Sequence, residues 1–274
     1  MVPIDPSKAW VIFNRGDYIQ FVQGTAFTDP LAVAQRLERE TKEFWRCIAL
    51  LPSVIGRYAY WLAGQGYTVH LIDGMPLHIA QAQRAAANGL HPPLASLAVG
   101  DARRVEVADA SGDAVLLMGP LYHLTERDDR LATLGEARRI LRQGGVVFAV
   151  GISRFTSALN GLVKGYWDDP VFVRIVQQDL MDGQHRNPTN HPAYFTTTFF
   201  HRPQELQEEI EEAGLRHEAT LPVEGVAWLL GNFEEQWSDP GRRERLLTGI
   251  RWLEEEPSLL GASIHLMAIG RKGL

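Results

Sequence analysis

Residues Tyr67–Ile79, YTVHLIDGMPLHI, describe a short buried strand that ends on a carboxylate and runs at once into a helix. An α/β sheet binds nucleotide-like ligands outside the carboxyl ends of its strands, where an acid can accept hydrogen bonds from ribose hydroxyls. Asp73 stands at such a place. Pro76 suits the first position of the helix that follows, and an aspartate just before a helix can also serve only as its cap. The sequence leaves both roles of Asp73 open.

The same alternation of strand and helix continues along the chain. Further apolar runs that predict strands lie at 47–51, 94–99, 113–118, 146–150, 215–222 and 262–269. Apolar residues at helical spacing predict helices at 57–63, 77–87, 128–141, 202–213 and, as a pair, within 233–255. Strands that are apolar throughout are typical of a parallel sheet buried on both faces. We therefore predict an α/β fold, a doubly wound, Rossmann-like, mostly parallel sheet of seven strands in a three-layer α/β/α arrangement.

Two segments extend the predicted domain, which spans 47–274. Residues 1–46 are expected to form an amino-terminal helical cap, because Pro30–Phe44 is amphipathic and follows a helix start signal. Residues 152–200 are expected to form a lid inserted after the fifth strand, since long loops inside compact domains are disproportionately functional. A surface loop docked on the body is the alternative. The substrate contacts expected in the lid are Arg154, His185, His191 and Tyr194.

Composition narrows the function. The chain has 274 residues, 45% of them apolar, so it can bury a full core. Its net charge of −6 argues against a nucleic-acid partner, which favours a basic face. No apolar run approaches the roughly 18 residues of a membrane span, and the first residues lack a signal-peptide pattern. We expect a cytoplasmic protein with no membrane partner, and the sequence does not indicate its oligomeric state.

Metal and cysteine chemistry are not expected. His185 and His191 have no third ligand at zinc-like spacing. Cys47, the one cysteine, lies in an apolar run and is expected to be an inert core residue. We therefore predict no metal site and no disulfide within the chain.

Five motifs carry a resemblance to a known family. In chain order they are Gly56–Ala63, Val69–His78, Val99–Arg103, Asp113–Leu124 and Glu136–Gly145. Together they resemble the class I S-adenosylmethionine-dependent methyltransferases, in particular the small-molecule branch, over roughly residues 45–151. The resemblance implies S-adenosylmethionine and S-adenosylhomocysteine as cofactors and a small molecule as the methyl acceptor. It also implies that the last strand lies antiparallel between its neighbours.

The resemblance also implies roles for individual residues. The cofactor-binding positions that it implies are Gly56, Asp73, Gly74, Asp101, Ala102, Gly119, Pro120 and Leu121. Asp73 would bind the ribose, and Asp101 with the backbone of Ala102 would hold the adenine. Residues 119–121 would flank the methionine portion and the reacting centre.

One segment departs from the family's pattern. After its first strand the family has an acid and a run of glycines, whereas Ala49–Gly56 reads ALLPSVIG and keeps only the last glycine. Glycine is needed where backbone lies against a ligand, and a proline removes an amide donor. Either other residues supply the contact, binding is weak, or methyl transfer has been lost. Candidates for the missing contact are Arg57, the helix amides and the segment around Arg15 and Tyr18.

Two other function classes therefore remain open. A methyltransferase-like protein that no longer methylates would be a cyclase, an isomerase or a regulatory partner. An NAD(P)-dependent dehydrogenase is permitted by Asp73, although the Gly-x-Gly-x-x-Gly run that such an enzyme uses is missing. The sequence does not identify the acceptor, nor whether oxygen, nitrogen or carbon would be methylated.

Candidate catalytic residues follow the fourth predicted strand. Methyl transfer depends mainly on the alignment of acceptor and methyl group, and a general base is needed only for a hydroxyl or an acidic carbon. His123 is the candidate base, with a structural hydrogen bond as its alternative role, because histidine titrates near neutral pH. Tyr122 would line the same place. His70 and His265 lie inside apolar strands and are expected to be core residues.

Overall fold

The computed structural model describes residues 9–11, 18–22, 57–89, 91–189 and 191–273. The chain divides into two compact units. Unit 1 consists of Met1–Val150, Gln207–Ala219 and Ala268–Leu274, and unit 2 consists of Gly151–Leu206 and Thr220–Met267. The start of unit 2 coincides with the start of the predicted lid, but unit 2 also takes in residues near the end of the chain.

The elements follow each other in the alternation that the sequence predicts. The strands are β1 (Ala9–Val11), β2 (Tyr18–Val22), β3 (Thr68–Asp73), β4 (Ser96–Val99), β5 (Gly112–Leu117), β6 (Leu141–Ser153), β7 (Gln184–His185), β8 (Thr198–His201), β9 (Arg216–Pro222) and β10 (His265–Arg271). The helices are α1 (Arg57–Gly64), α2 (Pro76–Ala87), α3 (Pro120–His123), α4 (Arg127–Ile140), α5 (Thr156–Lys164), α6 (Pro170–Asp182), α7 (Pro203–Glu212), α8 (Phe233–Ser238) and α9 (Pro240–Arg251). Short 3₁₀ turns lie at Tyr166–Asp168, Pro192–Tyr194, Gly225–Leu229 and Pro257–Ala262.

The strands form a mixed sheet of Rossmann-like α/β type. Their order is β1-β3-β2-β5-β6-β10-β9, with β4 also beside β3 and with β8 beside β6 and β7. The pairs β3/β4 and β5/β6 are parallel, whereas β2 runs antiparallel to both β3 and β5. The α/β prediction is confirmed. Within the described residues the sheet has ten strands, namely six of the seven predicted ones together with β1, β2, β7 and β8, while the seventh predicted strand, at 47–51, lies outside them.

The last strand lies where the family resemblance places it, between β6 and β9. The amides of Gly144 and Ser153 on β6 donate to Lys272 and Ile264, respectively. The later residue of β6 therefore bonds to the earlier residue of the last strand, so β10 runs antiparallel to β6.

The predicted core strands are confirmed with shifts of a few residues. All of β5 is buried, as is all of β6 from Gly145 onward. Burial along a whole strand explains why these runs are apolar at every position. The predicted strand at 47–51 lies outside the described residues.

The amino-terminal segment differs from the helical cap expected there. The two parts of it that the structure describes, β1 and β2, are extended, and β2 lies between β3 and β5. Its sequence, YIQFV, is rich in β-branched and aromatic residues, which favour strands. The predicted helix at 30–44 lies outside the described residues and stays a prediction.

Unit 2 replaces the expected irregular lid with helices. Two helices, α5 and α6, and a short hairpin of β7 and β8 occupy most of 152–200. Phe172, Ile175, Val176 and Tyr194 form a buried apolar cluster. The segment therefore has a core of its own, which an irregular surface loop would lack.

Aspartate–proline pairs begin two helices, as their chemistry predicts. The side chain of Asp169 accepts the amide of Val171 at 2.7 Å, and Pro170 takes the first position of α6. Asp239 and Pro240 do the same at the start of α9. The carboxylate satisfies an amide that has no partner within the helix, and proline has no amide there to satisfy.

Candidate functional site

The register of β2 brings the ends of β3 and β5 level with each other. Gln20 on β2 pairs with Leu71 on β3 and with Leu116 on β5. Since β2 is antiparallel to both, β3 and β5 run parallel, and Asp73 and Met118 lie two residues further along them. Neighbouring strands are about 4.8 Å apart, so Asp73 and Met118 are about 10 Å apart across the sheet.

Asp73 is fully buried at the end of β3. Its Oδ1 accepts the amide of Met75 at 2.5 Å, which fixes the turn into α2. Its Oδ2 lies 3.2 Å from Nδ1 of His78, one turn into the helix. Asp73 thus holds the turn that starts α2, but it is not the helix cap, because the cap residue is Met75 and no side chain caps this helix. Gly74 completes the turn.

The next strand brings a second carboxylate to the same end of the sheet. Val99 is the register partner of Asp73, and the amide of Gly100 donates to the Asp73 carbonyl at 3.0 Å. Asp101 follows, with its side chain about half exposed. The neighbouring Ala102 is buried. Asp73 and Asp101 are therefore brought together, as the sequence predicts for residues that follow neighbouring parallel strands.

An arginine that sequence reasoning did not single out holds Asp101. Arg103 Nη2 lies 2.6 Å from Asp101 Oδ2, and its Nε donates to both carboxylate oxygens. A further nitrogen reaches Asp129 at 3.0 Å. Hydrogen bonds from Arg103 hold the pKa of Asp101 below its ordinary value. Asp101 is thus an ionised acceptor that already has a cationic partner.

The segment after β5 is compact and buried. Gly119 leads into α3, a single turn whose Pro120, Leu121 and Tyr122 are all buried. The amides of Tyr122 and His123 both donate to the Gly119 carbonyl. The rings of Tyr122 and His123 lie 4.8 Å apart at an angle of 56°. The candidate catalytic pair therefore sits directly after the strand end that is level with Asp73.

The sequence profile of a methyltransferase domain matches residues 53–149. This range contains β3 to β5 and the three segments that follow them. Residues 53–149 carry a methyltransferase domain, which supports the resemblance to the class I S-adenosylmethionine-dependent methyltransferases. No protein of curated function matches the chain in sequence.

Solved methyltransferases share the fold of this domain. A methyltransferase from Mesorhizobium loti is 14% identical with a TM-score of 0.52, over 84% of this chain and 98% of the other. One from Methanosarcina mazei is 17% identical with a TM-score of 0.51, over 79% of this chain and 87% of the other. Identities this low show a common fold.

A methyltransferase domain of this class takes S-adenosylmethionine as methyl donor and leaves S-adenosylhomocysteine. The residues at the strand ends suit the nucleoside half of that cofactor. Asp73 and Asp101 provide acceptors for hydroxyl and amino donors, and Met75 and Val99 are exposed apolar side chains that suit a purine face. Gly56 and the rest of the unusual first motif lie outside the described residues.

The polar residues assigned to the lid have partners within unit 2. Arg154 is almost completely buried, with Nε donating to the Phe200 carbonyl at 2.8 Å and Nη2 to Glu205 at 2.6 Å. Tyr194 donates its hydroxyl to Asp169 at 2.5 Å. These contacts hold unit 2 together, and the substrate role of both residues stays a prediction.

The two lid histidines differ from each other. His185 is buried, with Nδ1 2.9 Å from Asp179 Oδ2 and Nε2 2.7 Å from the Tyr194 carbonyl. His191 is exposed and accepts the amide of Ala193, at the start of a 3₁₀ turn. Neither shows a contact that would identify a ligand. In the described part of the chain, no three His, Cys, Asp or Glu residues group as a metal site.

The strand histidines have structural partners. His70 Nδ1 lies 2.7 Å from the Ser96 hydroxyl on the neighbouring β4. His265 Nδ1 lies 2.6 Å from Oε1 of Glu224, whose Oε2 accepts the His265 amide. Across residues 57–89, 91–189 and 191–273, no helix is both long and apolar enough to cross a bilayer.

His70 gives the methyltransferase domain a predictable response to acid. Burial holds its pKa below the ordinary value of 6.5. The folded state therefore binds fewer protons than the unfolded state, so stability is full above that value and falls as the pH drops below it. We expect the decrease in melting temperature between about pH 7.5 and pH 5.5 to be smaller in His70→Gln than in the parent protein.

The control for this comparison is the parent protein, measured in the same buffers over the same pH range. An unchanged pH slope in His70→Gln would show that burial of this ring does not couple to stability.

Proposed function

We propose that the protein transfers a methyl group from S-adenosylmethionine to a small-molecule acceptor. The observation that carries the proposal is the level placement of Asp73 and the segment after β5, inside a region that matches a methyltransferase domain. Bound S-adenosylmethionine supplies an electrophilic methyl group. The chain has to bind the nucleoside, orient the acceptor and exclude water.

Asp73 is the proposed ribose ligand. A carboxylate accepts about four hydrogen bonds, so its contacts with Met75 and His78 are compatible with hydroxyl donors from a ribose. Those contacts also fix the rotamer of the side chain before a ligand arrives. A pre-positioned acceptor loses less conformational freedom on binding.

Asp101 and Ala102 are the proposed adenine contacts. The backbone of Ala102 is held by the turn in which Asp101 accepts the Arg103 amide at 2.9 Å. An adenine amino group would share Asp101 with Arg103. The exposed apolar side chain of Val99 lies beside them and provides surface for the purine.

β2 is the proposed substitute for the missing first-motif contacts. Tyr18 is the register partner of Asp73, so the backbone at the start of β2 lies beside the proposed ribose acceptor. The family pattern would supply acid and glycine backbone near this point. This placement supports the reading that another part of the chain provides the contact.

Residues 119–123 are proposed to form the reacting end of the site. Gly119, Pro120 and Leu121 would flank the methionine portion, and Tyr122 would line the acceptor side. His123 would take the proton from a hydroxyl or acidic carbon. With a nitrogen acceptor that is already neutral, alignment alone would suffice.

Calorimetry and thermal shift with a panel of cofactors test the proposed function. We expect saturable one-to-one binding of S-adenosylhomocysteine and S-adenosylmethionine, with a rise in melting temperature as the ligand exceeds its Kd. NAD and NADP should give neither signal. Binding of a nicotinamide cofactor alone would identify a dehydrogenase, and the absence of S-adenosylhomocysteine binding would contradict the proposal.

A further inference from the structure

Arg130 on α4 is a charged residue buried in unit 1, with only 2% of its side chain exposed. Its Nη1 donates to two successive carbonyls, Leu124 at 3.0 Å and Thr125 at 2.9 Å. These carbonyls follow α3 directly. One guanidinium nitrogen therefore holds the backbone just beyond the candidate catalytic pair through two hydrogen bonds.

The rest of the guanidinium is held by one carboxylate. Nε of Arg130 lies 3.0 and 3.1 Å from the two oxygens of Glu209, and Nη2 lies 2.7 Å from Oε1. Glu209 on α7 is 3% exposed. Nε and Nη2 both bind the Glu209 carboxylate, which fixes the plane of the guanidinium. This plane determines the direction of the hydrogen bonds from Nη1.

The helix that Arg130 supports has little stability of its own. α3 is a single turn, and forming the first turn of a helix is unfavourable because several dihedral angles are fixed for one hydrogen bond. The amide of Leu124 closes this turn on the Pro120 carbonyl at 2.9 Å. The carbonyl of the same residue, Leu124, accepts the first bond from Arg130.

We propose that Arg130, oriented by Glu209, is a positioning residue for the cofactor-binding segment 119–125. It holds the end of α3, and through it the place of Tyr122 and His123. The proposal rests on the proposed function, in which 119–121 flank the methionine portion. Lysine could not replace this arginine, because an ammonium is a point charge without the planar fork.

The same two helices carry a matched control pair. Arg127 on α4 binds Glu212 on α7 at 2.9 and 2.6 Å, with both side chains about half exposed. Both pairs link α4 to α7, but among the described residues Glu212 alone accepts hydrogen bonds from the Arg127 side chain. Arg127→Met therefore measures what an ion pair between α4 and α7 contributes to binding, with the hydrogen bonds to the carbonyls of 124 and 125 left in place.

The test uses Arg130→Met, the double variant Arg130→Met/Glu209→Leu, and Arg127→Met. We expect Arg130→Met to weaken S-adenosylhomocysteine binding by about tenfold or more, against less than about twofold for Arg127→Met. Amide exchange at Tyr122, His123 and Leu124 should accelerate in Arg130→Met and in the double variant, and should stay at the parent rate in Arg127→Met.

The double variant separates positioning from stability. Removing both charges leaves neither one buried alone, so its melting temperature should recover relative to Arg130→Met. The carbonyl contacts are still lost, so affinity should stay low and exchange at 122–124 should stay fast. If Arg130→Met does not fold, the double variant alone gives the same reading.

Two results would overturn the proposal. The first is a double variant that regains the parent affinity, which would make Arg130 a stability residue only. The second is parent-like exchange at 122–124 in the variants. A parent protein that does not bind S-adenosylhomocysteine would contradict the proposed function, and the exchange comparison would still decide what Arg130 does.

Discussion

Replacing Asp179 by asparagine is expected to lower the free energy of unfolding by about 1–3 kcal/mol. The Asp179 carboxylate lies 2.9 Å from Nδ1 of His185, and Nε2 of the same ring lies 2.7 Å from the Tyr194 carbonyl. Both side chains are almost completely buried, so water does not replace a lost partner. The substitution puts an amide in place of the carboxylate between α6 and the β7–β8 hairpin and weakens a buried hydrogen bond.

The control is an exposed ion pair in the same unit. Arg242 contacts Glu235 at the surface, and exposed pairs contribute about 0–1 kcal/mol. Urea unfolding followed by circular dichroism should therefore show a small change for Glu235→Gln and a large one for Asp179→Asn. Equal changes would contradict the stabilising role of the buried contact between Asp179 and His185.

Replacing Asp73 by asparagine is expected to weaken S-adenosylhomocysteine binding by about ten- to a hundredfold. A hydrogen bond to a charged group contributes about 1.5–3 kcal/mol, which corresponds to that range. Asparagine keeps the shape of the side chain and an oxygen for the Met75 amide, so the turn into α2 is retained. Calorimetric titration of the parent protein and the variant measures the ratio.

Asp109→Asn is the matched control, because Asp109 is 79% exposed and pairs only with Arg139 in the described structure. It should bind with the parent affinity. An Asp73→Asn protein that is folded and binds equally well would leave Asp73 with its helix-starting role alone.

The elements around Asp73 could be predicted because their signals are local. Pro76 fixes the first turn of α2, and the Asp73 carboxylate accepts the Met75 amide in the turn before it. The strands β5 and β6 were predictable for a related reason, since burial on both faces requires apolar residues at every position. These patterns depend on a few residues that are adjacent in the sequence. They do not depend on which distant segments pack against them.

The place of β2 could not be predicted in this way. Tyr18–Val22 has the composition of a strand, but its partners β3 and β5 lie far away in the chain. Strand propensity does not specify which strands pair, because the pairing depends on packing between distant segments. The sequence therefore predicts a cap for this segment and does not indicate its place between β3 and β5.

The polar residues of unit 2 show the limit for candidate sites. Arg154 meets Glu205, 51 positions away, and Tyr194 meets Asp169, 25 positions away. Before folding, an arginine or tyrosine that will pair internally has the same sequence signature as one that will bind a ligand. Arg103 could not be singled out from the sequence, because a charged residue two positions from an aspartate is common on any solvent-exposed turn.

Hydrogen exchange with and without S-adenosylhomocysteine tests directly whether the cofactor binds at the ends of β3, β4 and β5. Saturating ligand is expected to protect the three segments after these strands, at 73–76, 99–103 and 119–124. The already buried centres of β5 and β6 should change little. Unchanged exchange in all three segments, under conditions where the ligand saturates the protein, would contradict binding at these strand ends.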